Sequence, residues 1–516
     1  MKPAPWIAAL LCPLTLLCAV LPATALAAAS ASAVAQSSRP LAAQIDAIIQ
    51  QPRYAAADWG IAVVSLDSGR TLYAHQSGKL FVPASTAKLF TAALTLQTLD
   101  PQSRIPTRLL SAAAIRHGKL DGPLLLYGMG DPTLGTPGAN PDWADNLAAQ
   151  LAARGIHEVH GDLIADATYF SGPSLGKGWE ASDLLGWFAA PASALSVHEN
   201  TVALTVTPAG RAGLPPQLGF VPDVATPPLT STLTTAPART RGDINLYRAP
   251  GDTLLHAFGS MAVGTPAQTY QLAIPDPAQQ AGNELRAALT RHGVRLTGEL
   301  RVLTWPERDD TLRANAQVLA EVLSPPVSEI LTQGLKRSQN LYLQNLLQLD
   351  GISAQAAAAS QPGAHTGFLS SEAWGLRALH DFLERIGIAP SSVVMEEGSG
   401  LSRGDLVTPA AMTQLLQYIA AQPWAGALQD MLPVAGVDGT LEWRMRDGLA
   451  TDKVHAKTGS MNHVHCIAGY VTAPDGQRLA FAIMLNNYDR GDGGEPPANR
   501  DIDAIVQLLA GWHGAG

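Results

Sequence analysis

Phe81-Val82-Pro83-Ala84-Ser85-Thr86-Ala87-Lys88-Leu89-Phe90-Thr91-Ala92-Ala93-Leu94 is the stretch on which the fold turns. Pro83 marks a helix start, and Leu89, Phe90, Ala93 and Leu94 give the helix that follows, to about Leu99, a broad apolar face. Ser85 and Lys88 are three residues apart on one helical face, so the amine reaches the hydroxyl. A lysine desolvated by so apolar a helix has a lowered pKa and can take the proton of a serine that is otherwise a poor nucleophile. The helix start adds backbone N–H groups and a positive dipole end near Ser85. Taken alone, the pair also fits an ordinary N-cap serine and a solvated lysine, so the rest of the chain has to decide.

Upstream, Gly60 to Ser65 and Arg70 to His75 are β-rich runs around the turn Asp67-Ser68-Gly69, and Leu41 to Gln50 reads as a short helix. Downstream, proline and glycine rise between about Asp100 and Pro306. Short β-type runs appear there, such as Leu124 to Tyr127, Thr201 to Val206 and Tyr270 to Ile274. Helical texture returns from Ala314, with Ala357 to Pro362 read as a low-complexity surface loop. Near the end, strands Cys466 to Thr472 and Leu479 to Leu485 flank Pro474-Asp475-Gly476, before a last helix from Asp501 to about Leu509. The two ends therefore read as one domain and the middle as an insertion between its halves.

Composition agrees with a large folded chain. Of 516 residues, 47% are apolar and 15% charged, which excludes a disordered, coiled-coil or collagen-like chain. A net charge of −9 argues against nucleic acid and against an anionic membrane surface as partner. Lys2 is the only charge before an apolar run from Trp6 to Leu21, and Ala25-Leu26-Ala27 offers a small-x-small cleavage site. Residues 1–27 are thus expected to be a secretory signal peptide, followed by an Ala/Ser-rich tether to Ser38. Pro13 and Pro22 interrupt the apolar run, so no integral membrane segment is expected in the mature chain. Leu11 and Leu17 precede Cys12 and Cys18, which disfavours lipidation. Cleavage leaves only Cys466 of the three cysteines, so the exported chain is expected to fold without an internal disulfide.

Two further motifs follow Ser85-Thr86-Ala87-Lys88 in order. Ser338-Gln339-Asn340 opens a helical run, and Lys457-Thr458-Gly459-Ser460 ends a β-type segment before the last hairpin. Ser338 can relay a proton to a leaving amine, and Asn340 can bond both Lys88 and a substrate amide. Lys457, Thr458 and Ser460 can hold a substrate carboxylate, and Gly459 lets a substrate backbone approach the strand. The backbone N–H groups of Ser85 and of the strand edge at Ser460 can form an oxyanion hole. Each motif alone is weak: Ser174-Leu175-Gly176-Lys177 repeats the first among glycines that orient nothing, and Ser460-Met461-Asn462 repeats the second. The order of all three carries the weight.

The match then extends beyond three motifs. Phe81 to Lys88, Gly130-Asp131-Pro132-Thr133-Leu134, Pro191-Ala192-Ser193-Ala194-Leu195 with Glu199-Asn200, Gly398-Ser399-Gly400-Leu401-Ser402-Arg403 and Leu432 to Leu441 resemble the D-alanyl-D-alanine carboxypeptidase/endopeptidase family, the class C low-molecular-mass penicillin-binding proteins. The interval from Ser85 to Ser338 is far longer than in a compact β-lactamase, which this family explains by nested insertions. The resemblance implies an α+β multidomain fold. Its transpeptidase-like domain, an antiparallel sheet with helices on both faces, would comprise residues 40–103 and 315–516. Two nested β-rich insertions would interrupt it, one of residues 104–129 and 209–314 and one of 130–208.

It also implies a periplasmic serine DD-peptidase acting on peptidoglycan peptides through a Ser85 acyl-enzyme, with β-lactams as covalent inhibitors and no cofactor or metal. Two departures stand out: Glu397 where the family often has Asp, and the polar, thiol-bearing run Met461-Asn462-His463-Val464-His465-Cys466, which bears on substrate preference. The rivals are weaker. Gly400-Leu401-Ser402-Arg403-Gly404 fits a nucleophile elbow but lacks the strand that should lead into it. His463, His465 and Cys466 have no zinc-site spacing, and His157 and His160 read as solvated surface. A non-catalytic peptidoglycan-binding relative would be expected to have lost Ser85 or Lys88. A β-lactamase would need a Glu-based water-activating element that is not recognisable here.

Overall fold

The computed structural model describes residues 40–223, 226–361, 367–489 and 497–514. The expected signal peptide and tether lie outside the described residues. Among the described residues no helix is long and apolar enough to cross a membrane.

A five-stranded antiparallel sheet joins the two ends of the chain. Its order is Thr71–His75, Asp58–Ser65, Arg478–Asn486, Val464–Thr472, Val454–Met461. Both faces are covered, which explains why Arg478–Asn486 reads as an unbroken apolar run. Leu479, Phe481, Ile483 and Leu485 point to one face, where helices Leu41–Ile49 and Asn499–Ala510 close a core with Ile61, Val63 and Ile467. Ala480, Ala482 and Met484 alternate to the other face. The small size of the two alanines lets buried helices approach, including Pro409–Ala420 and Lys88–Thr98. Every residue of Lys88–Thr98 through Leu96 is buried. A helix that is apolar all round has to be interior.

Helix Asn340–Ala359 packs beside it, and Asp350 links the two. The Asp350 carboxyl is fully buried and accepts from the hydroxyls of Thr95, at 2.7 Å, and Thr98. This helix continues through Ala357 to Ala359, so the expected loop begins later than its composition suggested. Alanine's helix propensity outweighs low complexity there.

The middle of the chain is less purely β than expected. A mixed sheet runs Leu300–Leu303, Leu163–Asp166, Leu124–Gly128, Arg104–Ser111, Gln317–Pro326, with its first three strands parallel. Helices Trp143–Ala153 and Pro277–Arg291 pack against it around Leu126, Leu147 and Leu285. A smaller all-β part follows. Thr201–Thr207 pairs with Gln217–Val221 and Gln268–Ala273, and a neighbouring sheet is built on Leu255–Ala262. Both enclose Leu204, Leu233, Leu255 and Met261.

Pairing therefore crosses both expected inner boundaries. Leu163–Asp166, placed in the 130–208 insertion, lies between strands on either side of that segment, and Thr201–Thr207 pairs beyond residue 208. Short β runs separated by Pro/Gly turns carry no mark of their partners, so this pairing could not be read from texture.

Burial of Asp350 raises its pKa to about 7, although the two hydroxyls favour the charged form. The native carboxyl thus keeps a proton that the unfolded chain releases near pH 4. Its contribution to stability is complete below that and is lost as pH rises through about 7. Asp350→Asn, which mimics the protonated form, is expected to gain roughly 2–4 kcal/mol on the wild type between pH 5 and pH 8. Thermal unfolding at a series of pH values checks this, and a pH-independent difference would contradict it.

Candidate active site

Ala84–Ala87 is a single 3₁₀ turn running directly into helix Lys88–Thr98. In 3₁₀ geometry residues i and i+3 eclipse, so Lys88 stands over Ser85 and its Nζ lies 2.8 Å from Ser85 Oγ. The expected regular helix from Pro83 is thus tightened at its first turn, which aligns the pair. The Lys88 amine donates to two further acceptors, Asn340 Oδ1 and, at 2.6 Å, the Ser399 carbonyl. Lys88 is fully buried. Desolvation lowers its pKa to about 7, against the opposing pull of Glu397 and Asp405.

The second motif sits between two helices. Helix Val327–Lys336 ends, Ser338 takes a left-handed φ of +58°, and helix Asn340–Ala359 begins. Ser338 Oγ accepts from Lys457 Nζ at 2.9 Å. Asn340 bridges: its Oδ1 faces Lys88 and its Nδ2 donates to the Phe188 carbonyl at 2.7 Å. Lys457 is fully buried too and also donates to the Thr458 carbonyl at 2.8 Å. Its pKa is held well below the ordinary lysine value by desolvation and by the charge of Lys88.

The third motif lies on Val454–Met461, an edge strand. Residues Pro433 and Ala435 cover the first half of its outer edge through Ala456 N–H to Pro433 O and Ala435 N–H to Val454 O, both 3.0 Å. Thr458 and Ser460, in its second half, line a cleft of about 610 Å³ together with Ser85, Ser338 and Asn340. Thr458 Oγ1 lies 2.6 Å from Thr440 Oγ1. Gly459 is required by proximity: a Cβ there would lie 2.8 Å from Pro83 O and 3.0 Å from Ser85 N. All eight expected residues, Ser85, Lys88, Ser338, Asn340, Lys457, Thr458, Gly459 and Ser460, therefore meet at one place. Among the described residues no cluster suited to a metal ion is present.

Some participants had no legible role in the sequence. Phe188 and Ser399 contribute carbonyls, for which side-chain type is no signal. Trp187, Arg403 and Arg444 line the cleft from three separate segments. Glu397 is the hidden support of Lys88. Its buried carboxylate accepts from the backbone N–H of Ser399 and Leu401, both at 2.8 Å, from Gly400 N–H, and from Ser399 Oγ at 2.6 Å. That fixes the turn whose Ser399 carbonyl meets the amine.

The other departure divides. Met461 and Asn462 line the cleft, while Cys466 is buried on the sheet with Sγ 3.5 Å from Val82 O. The rival nucleophile motifs are otherwise engaged: Lys177 is exposed and paired with Glu396 at 2.7 Å, and Ser402, although its neighbours Leu401 and Arg403 line the cleft, is itself buried with its Oγ 3.1 Å from Glu396.

A buried lysine beside a half-buried serine, facing an open strand edge across a cleft, suits acyl transfer by a serine hydrolase. Comparison with known proteins agrees. The model of the D-Ala-D-Ala carboxypeptidase 3 (S13) family matches residues 41–510. The D-alanyl-D-alanine carboxypeptidase of Actinomadura sp. (strain R39) is 33% identical over 509 residues, covering 96% of this chain and 89% of the relative. The carboxypeptidase DacB of Haemophilus influenzae is 28% identical, covering 84% and 86%. The crystal structure of penicillin binding protein 4 (dacB) from Haemophilus influenzae superposes with a TM-score of 0.78 at 25% identity, over 90% of this chain and 98% of that one. The chain therefore belongs to the D-Ala-D-Ala carboxypeptidase 3 (S13) family, and it is a serine hydrolase.

Glu397→Gln places a donor NH₂ against backbone N–H groups. It is expected to cost about 2–4 kcal/mol of folding stability, read as a lower urea midpoint at unchanged slope. An unchanged midpoint would contradict the role given to this carboxylate.

Proposed function

We propose that this enzyme cleaves the D-Ala–D-Ala bond, or the D-Ala–diaminopimelate cross-link, of peptidoglycan peptides through an acyl-enzyme on Ser85. One observation carries the assignment: Lys88 is fully buried, its pKa is lowered to about 7, and its Nζ is 2.8 Å from Ser85 Oγ. Neutral Lys88 accepts the hydroxyl proton as Oγ bonds to the carbonyl carbon of the penultimate D-Ala. The oxyanion is held by the N–H groups of Ser85 and of the open strand edge at Ser460.

Thr458 and Ser460 hydroxyls hold the substrate carboxylate, with the positive end of Lys457 behind them. Collapse of the tetrahedral adduct breaks the C–N bond. The leaving amine takes its proton from Ser338 Oγ, Lys457 Nζ resupplies Ser338, and the proton that Lys88 took from Ser85 passes on to Lys457, which leaves Lys88 neutral again. Asn340 keeps Lys88 aimed and can bond the substrate amide. Water then attacks the ester as neutral Lys88 takes its proton, and Lys88 returns that proton to Ser85 Oγ as the ester C–O bond breaks. A β-lactam offers a strained amide in place of the scissile bond and is opened by the same hydroxyl. The leader read at residues 1–27 supports export to the periplasm, where such peptides lie.

We further infer a division of the chain that follows strand pairing. Residues 40–103 and 327–516 form the catalytic domain, and the mixed sheet, whose last strand is Gln317–Pro326, forms an insertion that itself carries the small all-β part.

Brief exposure to benzylpenicillin followed by intact-mass analysis and peptide mapping is expected to show one adduct, on Ser85. Ser85→Ala should abolish it, while Ser174→Ala and Ser402→Ala retain it; an adduct mapped to another serine would move the active site. The acylation rate constant is also expected to rise with pH along a limb of apparent pKa near 7, as Lys88 loses its proton. A rate flat between pH 5 and pH 9 would contradict Lys88 as the base.

A further inference from the structure

We propose that Glu199, in the inserted part of the chain, is a positioning residue for the second motif, clamping the backbone on both sides of Ser338. The inference rests on the reading of Ser338 as the proton relay.

It starts from the backbone. His198, Glu199 and Asn200 are consecutive and all left-handed, at φ +50°, +56° and +54°. A non-glycine residue in this region costs on the order of 1 kcal/mol or more, and a run of three persists only where the surroundings over-determine it. The two outer residues anchor the run. His198 bonds through Nδ1 to the Gly135 carbonyl and through Nε2 to Glu284, both at 3.0 Å. Asn200 is buried, accepts from Val197 N–H at 3.0 Å, and donates to the Pro191 carbonyl at 2.8 Å and to Ser196 Oγ at 3.0 Å.

The middle residue turns the other way, towards the catalytic motif. Its Oε1 accepts from Arg337 Nη1 at 2.7 Å and from the Tyr342 hydroxyl at 2.9 Å. Its Oε2 accepts from Arg337 Nη2 at 3.1 Å and from Gln339 Nε2 at 3.0 Å. One carboxylate thus holds residues 337, 339 and 342. Between the first two, Ser338 occupies its own left-handed position with Oγ on Lys457. The turn that ends helix Val327–Lys336, closed by Gln339 N–H on the Gly334 carbonyl at 2.9 Å, sets the left-handed backbone of Ser338. The carboxylate adds a grip on the side chains to either side of it. A bidentate guanidinium–carboxylate pair fixes orientation as well as distance, which suits a residue that must keep a hydroxyl on a proton path.

The test is a cycle of benzylpenicillin acylation rates, measured well below the unfolding temperature, for Glu199→Gln, Ser338→Ala and the double variant. Glu199→Gln is expected to acylate about 10–30-fold more slowly than the wild type. If Glu199 acts through Ser338, the double variant is no slower than Ser338→Ala alone, within about twofold. A merely structural role would not produce that non-additivity. Multiplying effects, or a wild-type rate for Glu199→Gln beside a slow Ser338→Ala, would overturn the inference and leave the relay standing. A wild-type rate for Ser338→Ala would overturn the relay reading, and with it this route for Glu199. Should Glu199→Gln fail to fold, Tyr342→Phe, which removes one hydroxyl from the clamp, replaces it in the same cycle. It is then expected to slow acylation about threefold, with the same non-additivity, and additive effects or an unchanged rate would count against the clamp.

Discussion

A lysine amine shut away from water is the constraint on which the rest of the molecule depends. Removing an ammonium from solvent costs several kcal/mol unless it is compensated or loses its proton. Lys88 meets both conditions. It is offered oxygen atoms by Ser85, Asn340 and Ser399, and its pKa falls to about 7. Those partners come from distant parts of the chain, so the amine is buried only when the catalytic domain is complete. The helix carrying Lys88 must be interior, and the turn carrying Ser399 must be fixed by Glu397. Lys457, buried nearby, responds to the same desolvation and to the charge of its neighbour. Two such amines cannot both hold protons cheaply.

The inserted parts of the chain are tied into this arrangement. The Phe188 carbonyl accepts a hydrogen bond from the Asn340 amide, and Glu199 binds the residues around Ser338. The second catalytic motif is therefore framed by chain that is not part of the catalytic sheet. Its backbone turns between two helices through a C-cap closed by Gln339 N–H on the Gly334 carbonyl, and the side chains on either side of Ser338 are held from outside.

Much of this was legible in the sequence, for identifiable reasons. The end strands and the Ser85–Lys88 stretch announce themselves because apolar periodicity and motif spacing are local properties. The eight site residues converge because each type has a chemical reason to stand at its position. The 3₁₀ turn at Ala84–Ala87 was not legible, since a regular helix and a tightened first turn share one apolar pattern. The strand pairing in the middle of the chain was not legible either, because Leu163–Asp166 shows its apolar face without naming Leu124–Gly128 and Leu300–Leu303 as partners. Carbonyl acceptors such as those of Phe188 and Ser399 leave no trace in residue type. Glu397 stood out as a departure from a family habit, but its role as an acceptor for a whole turn belongs to the backbone around it.

The pairing of Asp58–Ser65 with Arg478–Asn486 has a consequence for how the enzyme comes into being. A ribosome delivers the serine, the lysine and the first hairpin long before the strand that shelters them. The inserted sheets close on their own contacts and so shorten the gap that the two halves must span. Until the last strands dock, the amine stays hydrated and keeps its proton, and the hydroxyl beside it is as inert as any other serine. A half-made molecule thus carries Ser85 and Lys88 without the burial that lowers the pKa of the amine.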